Sequence, residues 1–299
     1  MLFEVRQGDC AKLAANLSDE SIDIIVTSPP YWGQRMSLGH GVEEDPRDYI
    51  SGIGEIFEIL LPKLKYDAIV WLNVGDAYNT PINWRFEDKK YSSLGHERDG
   101  LSDDNTAYTK PRAKRKAFID QSSGWLKYGN LLSLPHRLVQ ELCSRGYYFR
   151  GEVIWKKLNP MPEGRCRRPH RAHEPIFLLS KSERHRFRVQ PPVSSVWEFP
   201  SERMRGEKHF SRFPLELPKR CIEAFGETTA ETLVCDPFTG SGTTGIAAIN
   251  ANCQFIGFEI DADQHRAASM RIEQAAIERG LAHECAPTLD NEARKIVVR

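Results

Sequence analysis

The sequence lacks several features that would each define a class of protein. Its seven cysteines are odd in number and include no CxxC pair, so neither a disulfide framework nor a zinc ribbon is predicted, and we expect reduced thiols. No run approaches the roughly 18 apolar residues of a membrane span, and the first residues lack the basic-then-apolar order of a signal peptide. We therefore expect a cytoplasmic protein that makes no contact with a membrane.

The sequence also lacks a net charge, because 41 Lys and Arg residues balance 41 Asp and Glu residues. That balance is uneven along the chain. Residues 156–190 hold ten basic and three acidic residues, and residues 110–119 hold five basic residues and no acid. Such runs are either solvated faces or surfaces for an anionic partner, and charge alone does not decide between the two.

Short β-branched runs alternate with amphipathic stretches of helical spacing, which indicates an α/β protein with a doubly wound, mainly parallel sheet. The predicted strands are Phe3–Arg6, Ile22–Thr27, Ala68–Val74, Tyr147–Trp155, Pro175–Leu179, Thr232–Cys235 and Gln254–Phe258. The predicted helices are Arg47–Leu61, Leu131–Arg145, Pro214–Phe225, Ser241–Asn250 and Asp261–Arg279.

Three stretches interrupt this alternation. Residues 76–130 form a polar insertion without periodicity, which we expect to be functional or partly disordered. Residues 159–208 are rich in Arg, His and Pro and are predicted to be a small separate module. The tail after Gly280 is expected to be peripheral and loosely held.

The hexapeptide TSPPYW at residues 27–32 directly follows the apolar strand that begins at Ile22. The strand therefore delivers it at its carboxyl end, where open α/β sheets bind ligands. Pro29 and Pro30 fix the backbone and carry no amide donor, so their carbonyls are left as acceptors. A plain Pro-Pro turn with a core aromatic is the alternative interpretation.

A second motif, DPFTGSGTTG at residues 236–245, follows another predicted strand and opens a helix. Its glycines allow close approach of a ligand to the backbone, and the helix N-terminus favours an anionic group. Glu259 stands 23 residues after Asp236 at the end of the next strand, where a carboxylate can accept both ribose hydroxyls. An adenosyl cofactor is indicated. Gly240, Gly242 and Gly245 also satisfy the weak GxGxxG pattern of a nicotinamide dehydrogenase, but that interpretation leaves TSPPYW unexplained.

Together the two motifs resemble those of amino-methylating DNA methyltransferases, in the permuted group whose catalytic motif precedes its cofactor motif. In that family SPPY is the catalytic loop and FxGxG after an acid is the S-adenosylmethionine loop. Further similarities are Gly8-Asp9, the HFSRFP segment at 209–214 and the stretch 153–160. The resemblance implies a catalytic and cofactor-binding domain of residues 1–158 and 209–299, with 159–208 as the candidate target-recognition region.

The resemblance implies transfer of a methyl group from S-adenosylmethionine to an exocyclic amino group of a base flipped out of double-stranded DNA. The Ser28 hydroxyl and the Pro29 carbonyl would accept the two N–H bonds of that amino group, and Tyr31 would stack on the base. The implied catalytic residues are Ser28, Pro29, Pro30 and Tyr31. The implied cofactor-binding residues are Asp9, Asp236, Pro237, Phe238, Gly240, Ser241, Gly242, Glu259 and Phe213.

Within the family, SPPY goes mostly with N4 of cytosine, and DPPY or NPPY with N6 of adenine. Ser28 and the Phe213-Pro214 pair therefore favour cytosine N4, with adenine N6 as the alternative. Methylation at ring C5 would require a nucleophilic cysteine that usually follows proline in that family, and no Pro-Cys pair occurs in the sequence.

The basic stretch is then predicted to bind DNA, through phosphate contacts and through arginines that read guanine. The predicted DNA-binding residues are Arg165, Arg167, Arg168, Arg171 and Lys156. Cys166, His170 and His173 lack a second ligand pair, so no metal site is predicted. The expected partners are double-stranded DNA and a cognate restriction endonuclease, for a monomer or a homodimer. An RNA or small-molecule methyltransferase and a catalytically inactive DNA-binding subunit remain as alternatives.

Overall fold

The computed structural model describes residues 2–33, 39–80, 117–120, 122–162, 167–188, 190–202, 213–281 and 293–297. The strands are β1 (Leu2–Gln7), β2 (Ile22–Thr27), β3 (Leu64–Asn73), β4 (Tyr148–Lys157), β5 (His173–Ser180), β6 (Val196–Phe199), β7 (Leu233–Asp236), β8 (Gln254–Glu259) and β9 (Ala293–Val297). The helices are α1 (Cys10–Ala15), α2 (Pro46–Leu60), α3 (Leu134–Ser144), α4 (Glu216–Phe225), α5 (Thr243–Asn250) and α6 (Ala262–Glu278).

The strands form one sheet in the order β6-β4-β5-β3-β2-β7-β8-β1-β9. The pairings from β3 across to β1 are parallel, whereas β5 is antiparallel to both of its neighbours. From β2 the chain moves outward to β3, and from β7 it moves outward in the opposite direction to β8. The junction of β2 and β7 is therefore a topological switch point, the place where open α/β sheets bind ligands.

The helices cover both faces of the sheet, as the doubly wound prediction requires. Along β2, Ile25 points into a core with α1, α2 and α3, whereas Ile24 and Val26 point into a second core with α4, α5 and α6. All six residues of β2 are buried, which explains why its sequence is continuously apolar around Asp23. The strand that delivers TSPPYW is thus held rigidly from both sides.

The predicted strands and helices are all present, and the largest shift is at β3, which begins at Leu64 instead of Ala68. One α-helix and two strands in the described part of the chain were not predicted. Helix α1 has only six residues, too few for a periodic signal, and begins at the N-cap Asp9. The edge strand β9 pairs antiparallel with β1, so the prediction of a loosely held tail is wrong for residues 293–297. The third, β6, pairs with β4 at the other edge.

The prediction that residues 159–208 fold as a small separate module is also wrong, because β5 lies between β3 and β4 in the main sheet. A strand that pairs with partners distant in sequence gives no local signal of where it pairs. The stretches that connect β5 to β4 and to β6 lie outside the strands. Whether they recognise DNA stays a prediction.

The insertion 76–130 is anchored at both ends, although residues 81–116 lie outside the described part of the chain. The buried Asn79 amide donates to the carbonyls of Phe118 at 2.6 Å and Leu126 at 2.9 Å. Leu126 is itself fully buried in the core that contains α2 and α3. The ends of the insertion therefore pack as part of the main fold. Among the described residues, no helix is long and apolar enough to cross a membrane.

Candidate active site

The two sequence motifs meet at the switch point, as predicted from their positions at neighbouring strand ends. Thr27, the last residue of β2, donates a hydrogen bond from Oγ1 to Asp236 Oδ1 on β7 at 2.7 Å. Thr244 Oγ1 donates to Asp236 Oδ2 at 2.6 Å, and the Phe238 amide donates to Oδ1 at 3.0 Å. One buried carboxylate thus ties the TSPPYW loop, the glycine-rich loop and α5 together.

Asp236 has no exposed surface, and burial raises its pKa to about 6 against the opposing effect of its hydrogen bonds. Both oxygens are occupied by donors within the protein. Asp236 is therefore placed as an organiser of the two loops, whereas the sequence suggested that it contacts the cofactor directly.

An open cavity lies beside this junction, at the carboxyl ends of β1, β7 and β8. Acidic and apolar groups share its wall. The lining residues are Gly8, Asp9, Cys10, Pro30, Gly39, His40, Pro237, Phe238, Phe258, Glu259 and Ile260. The cavity thus joins predicted cofactor residues to Pro30 of the catalytic motif.

Glu259 is buried in this wall, and its carboxylate holds the glycine-rich loop in place. Oε2 accepts a hydrogen bond from the Gly240 amide at 2.8 Å, and Oε1 accepts one from the Asp261 amide at 2.9 Å. Each carboxylate oxygen can accept a further hydrogen bond. Glu259 can therefore shape the loop and still bind hydroxyl groups in the cavity.

Asp9 is the second acid of the cavity and the N-cap of α1. Its Oδ1 accepts hydrogen bonds from the amides of Ala11 at 2.9 Å and Lys12 at 3.2 Å. The neighbouring Cys10 thiol has a pKa raised to about 12 by burial and, to a smaller extent, by the charge of Asp9. That thiol is therefore neutral near pH 7.

The glycine-rich loop makes its turn with two left-handed residues, Gly240 at φ +53° and Gly242 at φ +82°. A Cβ on Gly242 would lie 3.2 Å from Ala268 of α6, so glycine also allows the close packing of α5 against α6. Ser241 sits between them, and its carbonyl accepts a hydrogen bond from Arg271. These three residues shape the loop, whereas Pro237 and Phe238 form its part of the cavity wall.

Phe213 was predicted to bind the cofactor, but the structure packs it against the core that contains α4, α5 and α6. It is not among the residues that line the cavity. Residues 209–212 of the same segment lie outside the described residues.

Gly39 and His40 line the cavity but were not predicted. Trp32 Nε1 donates to the Glu43 carbonyl at 2.8 Å, and the Glu43 carboxylate binds the Gly41 amide at 2.7 Å and His40 Nδ1 at 3.1 Å. Burial alone would raise the pKa of Glu43, but hydrogen bonds from His40 and backbone amides lower it overall. Proximity in sequence to TSPPYW was the only signal for this turn.

In the catalytic motif, Pro29 is buried, Ser28 and Pro30 are half-buried, and Tyr31 enters a network of polar side chains. Tyr31 Oη lies 2.9 Å from Glu174 Oε2 and 3.1 Å from Asn73 Oδ1. Burial, followed by the charge of Glu174, raises the Tyr31 pKa well above its usual value, so the hydroxyl stays protonated and donates. Neither Asn73 nor Glu174 was among the site residues predicted from the sequence.

Gly75, just beyond β3, lies against the Tyr31 ring. A Cβ built on Gly75 would lie 2.4 Å from Cε2 of that ring, far closer than van der Waals contact allows. The Tyr31 ring therefore packs against the backbone of Gly75. Its hydroxyl contacts Asn73 of β3 and Glu174 of β5.

The predicted DNA-binding residues are distributed unevenly. Arg165 lies outside the described residues, Arg167 is exposed, and Lys156 pairs with Glu198 at 3.0 Å. The Arg168 guanidinium lies 4.1 Å from the centre of the Tyr78 ring. Arg171 donates to the Asp76 carbonyl at 2.6 Å, so it also fastens its loop to the end of β3. The described residues contain no cluster of His, Cys, Asp and Glu that could hold a metal ion.

Comparisons with known proteins agree with this geometry. The family model for N6/N4 DNA methylases matches residues 22–270. The type II methyltransferase M.SmaI of Serratia marcescens is 32% identical over 283 residues, which cover 89% of each chain.

Two solved structures have the same fold. The PvuII DNA methyltransferase, described as cytosine-N4-specific, has a TM-score of 0.64 at 19% identity, over 91% of this chain and 89% of its own. The complex of M1.HpyAVI with S-adenosylmethionine has a TM-score of 0.55 at 18% identity, over 90% and 98% of the two chains. The chain therefore belongs to the family of N6/N4 amino-methylating DNA methylases, enzymes that use S-adenosylmethionine as their cofactor.

Proposed function

We propose that this protein methylates N4 of cytosine in double-stranded DNA, as the modification enzyme of a type II restriction-modification system with a cognate endonuclease. The observation that carries the proposal is Ser28, a neutral acceptor at the head of the SPPY loop, where adenine-specific members mostly have Asp or Asn. The fold shared with the cytosine-N4-specific PvuII enzyme and the identity to M.SmaI support it. We also place the chain in the permuted group, because Ser28 precedes Gly240 in the sequence.

The cavity beside Ser28 fits the proposed cofactor. Its acids, Asp9 and Glu259, are acceptors suited to the adenine amino group and the ribose hydroxyls, and Phe238 and Phe258 offer apolar surface to the adenine ring. When bound, S-adenosylmethionine supplies a methyl group carried on a positively charged sulfur. The neutral Cys10 thiol adds no charge to this wall.

The amino group of cytosine is a poor nucleophile, because its lone pair is delocalised into the ring. Ser28 and Pro29 would correct this by accepting its two N–H bonds, which turns the lone pair towards the cavity. The buried Pro29 is fixed by its ring and its packing, so its carbonyl is an acceptor that needs no reorganisation. Pro30, which follows these acceptors in the chain, lines the cavity.

The target atom lies inside the duplex, so the base must be flipped out before it can reach Ser28. We assign Tyr31 as the surface on which the flipped base stacks. Arg165, Arg167, Arg168 and Arg171 belong to the loop of residues 158–172, which joins β4 to β5 at the carboxyl end of β3 and therefore borders Tyr31. This loop is our candidate for contact with the DNA backbone and the target sequence.

The test is the identity of the methylated nucleoside. Purified protein is incubated with S-adenosylmethionine and mixed-sequence DNA, the DNA is digested, and nucleosides are separated by chromatography before mass spectrometry. We expect N4-methylcytosine, which chromatography distinguishes from 5-methylcytosine of equal mass. N6-methyladenine as the product would overturn the choice of base and keep the family mechanism. A protein that binds the cofactor but yields no methylated nucleoside would favour an inactive DNA-binding subunit.

A further inference from the structure

Three polar side chains contact the Tyr31 hydroxyl: Ser28 of the same loop, Asn73 of β3 and Glu174 of β5. The hydroxyl donates to Glu174 Oε2 at 2.9 Å and also lies 3.1 Å from Asn73 Oδ1. The Asn73 amide donates to the Pro175 carbonyl at 3.1 Å, which fixes Asn73 against β5. A hydroxyl has one hydrogen to donate, and the charged carboxylate is the stronger acceptor for it.

The second oxygen of Glu174 is bonded to the ammonium group of Lys157, at the end of β4. The Lys157 and Glu174 side chains are only 22% and 13% exposed, and Lys157 Nζ lies 4.8 Å from the centre of the Trp155 ring. The adjacent pair, Lys156 and Glu198, is 54% and 51% exposed. Surface pairs contribute little to stability, whereas loss of one partner of a desolvated pair leaves a buried charge.

This network connects the catalytic loop to the base of loop 158–172. Lys157 is the last residue before that loop, and its amide donates to the carbonyl of Ala172 at the other end at 2.8 Å. Glu174 follows two residues later. A series of contacts therefore links the proposed DNA-contacting loop to Tyr31 of SPPY, through one ion pair and one hydrogen bond.

We propose that Glu174 is a positioning residue for methyl transfer, which holds the Tyr31 hydroxyl so that the ring meets the flipped base in one fixed orientation. Lys157 neutralises the carboxylate and joins it to loop 158–172. The proposal rests on the proposed function, because it assigns the tyrosine its role on the flipped base. Gly75 supports the ring from another direction, so the hydroxyl contact decides whether the ring can swing away.

Two substitutions separate the hydrogen bond from the ion pair. Glu174→Gln keeps an oxygen that accepts from Tyr31 but loses the charge that pairs with Lys157. Glu174→Ala loses both. We expect kcat to fall roughly 10- to 100-fold in Glu174→Ala and to stay within about threefold of wild type in Glu174→Gln, because small misplacements in a reacting site cost this much. Both variants should unfold at lower urea concentration than wild type.

The matched control is Glu198→Ala, which removes the exposed pair at the neighbouring lysine and should leave kcat and urea stability unchanged. A second arm combines Glu174→Ala with Tyr31→Phe. If Glu174 acts through the hydroxyl, the double variant should be less than about twofold slower than Tyr31→Phe alone, since residues that act as a unit are not additive. Fully additive losses, or unchanged kcat in Glu174→Ala, would overturn the proposal.

The same pair of substitutions is also compared by urea unfolding, which needs no substrate. Non-additive losses of stability are expected between Glu174→Ala and Tyr31→Phe, and additive losses there would show that the hydrogen bond is absent. If wild type makes no methylated nucleoside, the proposed function fails, whereas the unfolding result still decides the contact. If wild type is active and the variants match it, only the positioning role fails.

Discussion

The switch point has a cofactor side, which contains Glu259 and Asp9, and a catalytic side, which contains Tyr31. On the cofactor side, both carboxylates accept hydrogen bonds from backbone amides. Glu259 accepts from Gly240 and Asp261, and Asp9 accepts from the first turn of α1. On the catalytic side, Tyr31 bonds to a side chain of β5, which bonds in turn to one of β4. The first arrangement is a local scaffold, and the second exists only after β2, β5 and β4 have assembled. Substitutions on the cofactor side should therefore weaken cofactor binding, and those on the catalytic side should slow turnover.

The largest effect is expected at Ser28. Ser28→Ala removes one acceptor from the amino group and keeps the bonds of Tyr31 to Asn73 and Glu174, so kcat should fall about 100- to 1,000-fold, the usual cost of losing one preorganised hydrogen bond to a reacting group. Affinities for DNA and S-adenosylmethionine should stay near wild type, as measured by titration. Ser144→Ala, at the exposed end of α3, is the control. Weakened binding of S-adenosylmethionine in Ser28→Ala would show that the catalytic side also contributes to cofactor binding, contrary to this comparison.

Asp236 lies between the cofactor side and the catalytic side, and its ionisation makes the free energy of unfolding depend on pH. Its pKa in the folded protein is about 6, above its ordinary value of 3.8, so folding favours the protonated form. An unfolded chain releases this proton at lower pH, and stability from this group is therefore lost as pH rises from about 4 to about 6. Asp236→Asn cannot ionise. Relative to that variant, wild type should lose on the order of 3 kcal/mol of unfolding free energy between pH 4 and pH 7, at about 1.4 kcal/mol per pKa unit.

Urea unfolding at a series of pH values measures that difference. A difference between the two proteins that does not change with pH would mean that Asp236 is solvated and does not join the two loops.

On the cofactor side, Glu259→Ala should weaken S-adenosylmethionine binding by about 10- to 100-fold, because charge-assisted hydrogen bonds contribute about 1.5–3 kcal/mol. DNA affinity should change little. Isothermal calorimetry measures both, with Asp263→Ala as the control, since the Asp263 side chain is 87% exposed at the start of α6. Equal losses for cofactor and DNA would show that the two sides are not separable.

The smallest effect is expected in loop 158–172. Replacing Arg165, Arg167 and Arg168 with Ala should lower DNA affinity and flatten its dependence on salt, by roughly 0.9 in log–log slope for each phosphate group that the protein no longer binds. Lys219→Ala on α4, with a side chain 54% exposed, is the control for removal of a positive charge elsewhere. An unchanged slope would move the DNA-binding surface to the insertion 76–130, which includes the basic residues of 110–116.

The cofactor side and the catalytic motif could be predicted from sequence because their signals are local. The motif that begins at Asp236 and the strand that follows it suffice to locate Glu259 at the end of that strand. The apolar run before Thr27 suffices to locate SPPY at a strand end. The Tyr31 partners could not be found this way. Asn73 and Glu174 are about 100 residues apart and meet only because β3 and β5 pair antiparallel, a register that neither segment encodes alone.

Two residues predicted to bind the cofactor make contacts within the protein that the sequence did not indicate, for the same reason. Asp236 has the position expected of a cofactor ligand, but Thr27 and Thr244 fill its oxygens once the two strands pair. Phe213 belongs to a segment typical of the family, yet it packs against the core that contains α4, α5 and α6. In both cases the position in the sequence suggested a cofactor contact, whereas the side chain contacts residues of another element.

The packing of Gly75 against Tyr31 should be visible in the natural variation of the family. Any side chain at position 75 would occupy the space of the tyrosine ring, so members that keep the aromatic residue should keep glycine there. A larger residue at 75 should occur only together with a smaller residue at 31 or a displaced β3 end. These two positions, which lie 44 residues apart in the chain, are expected to vary as a pair.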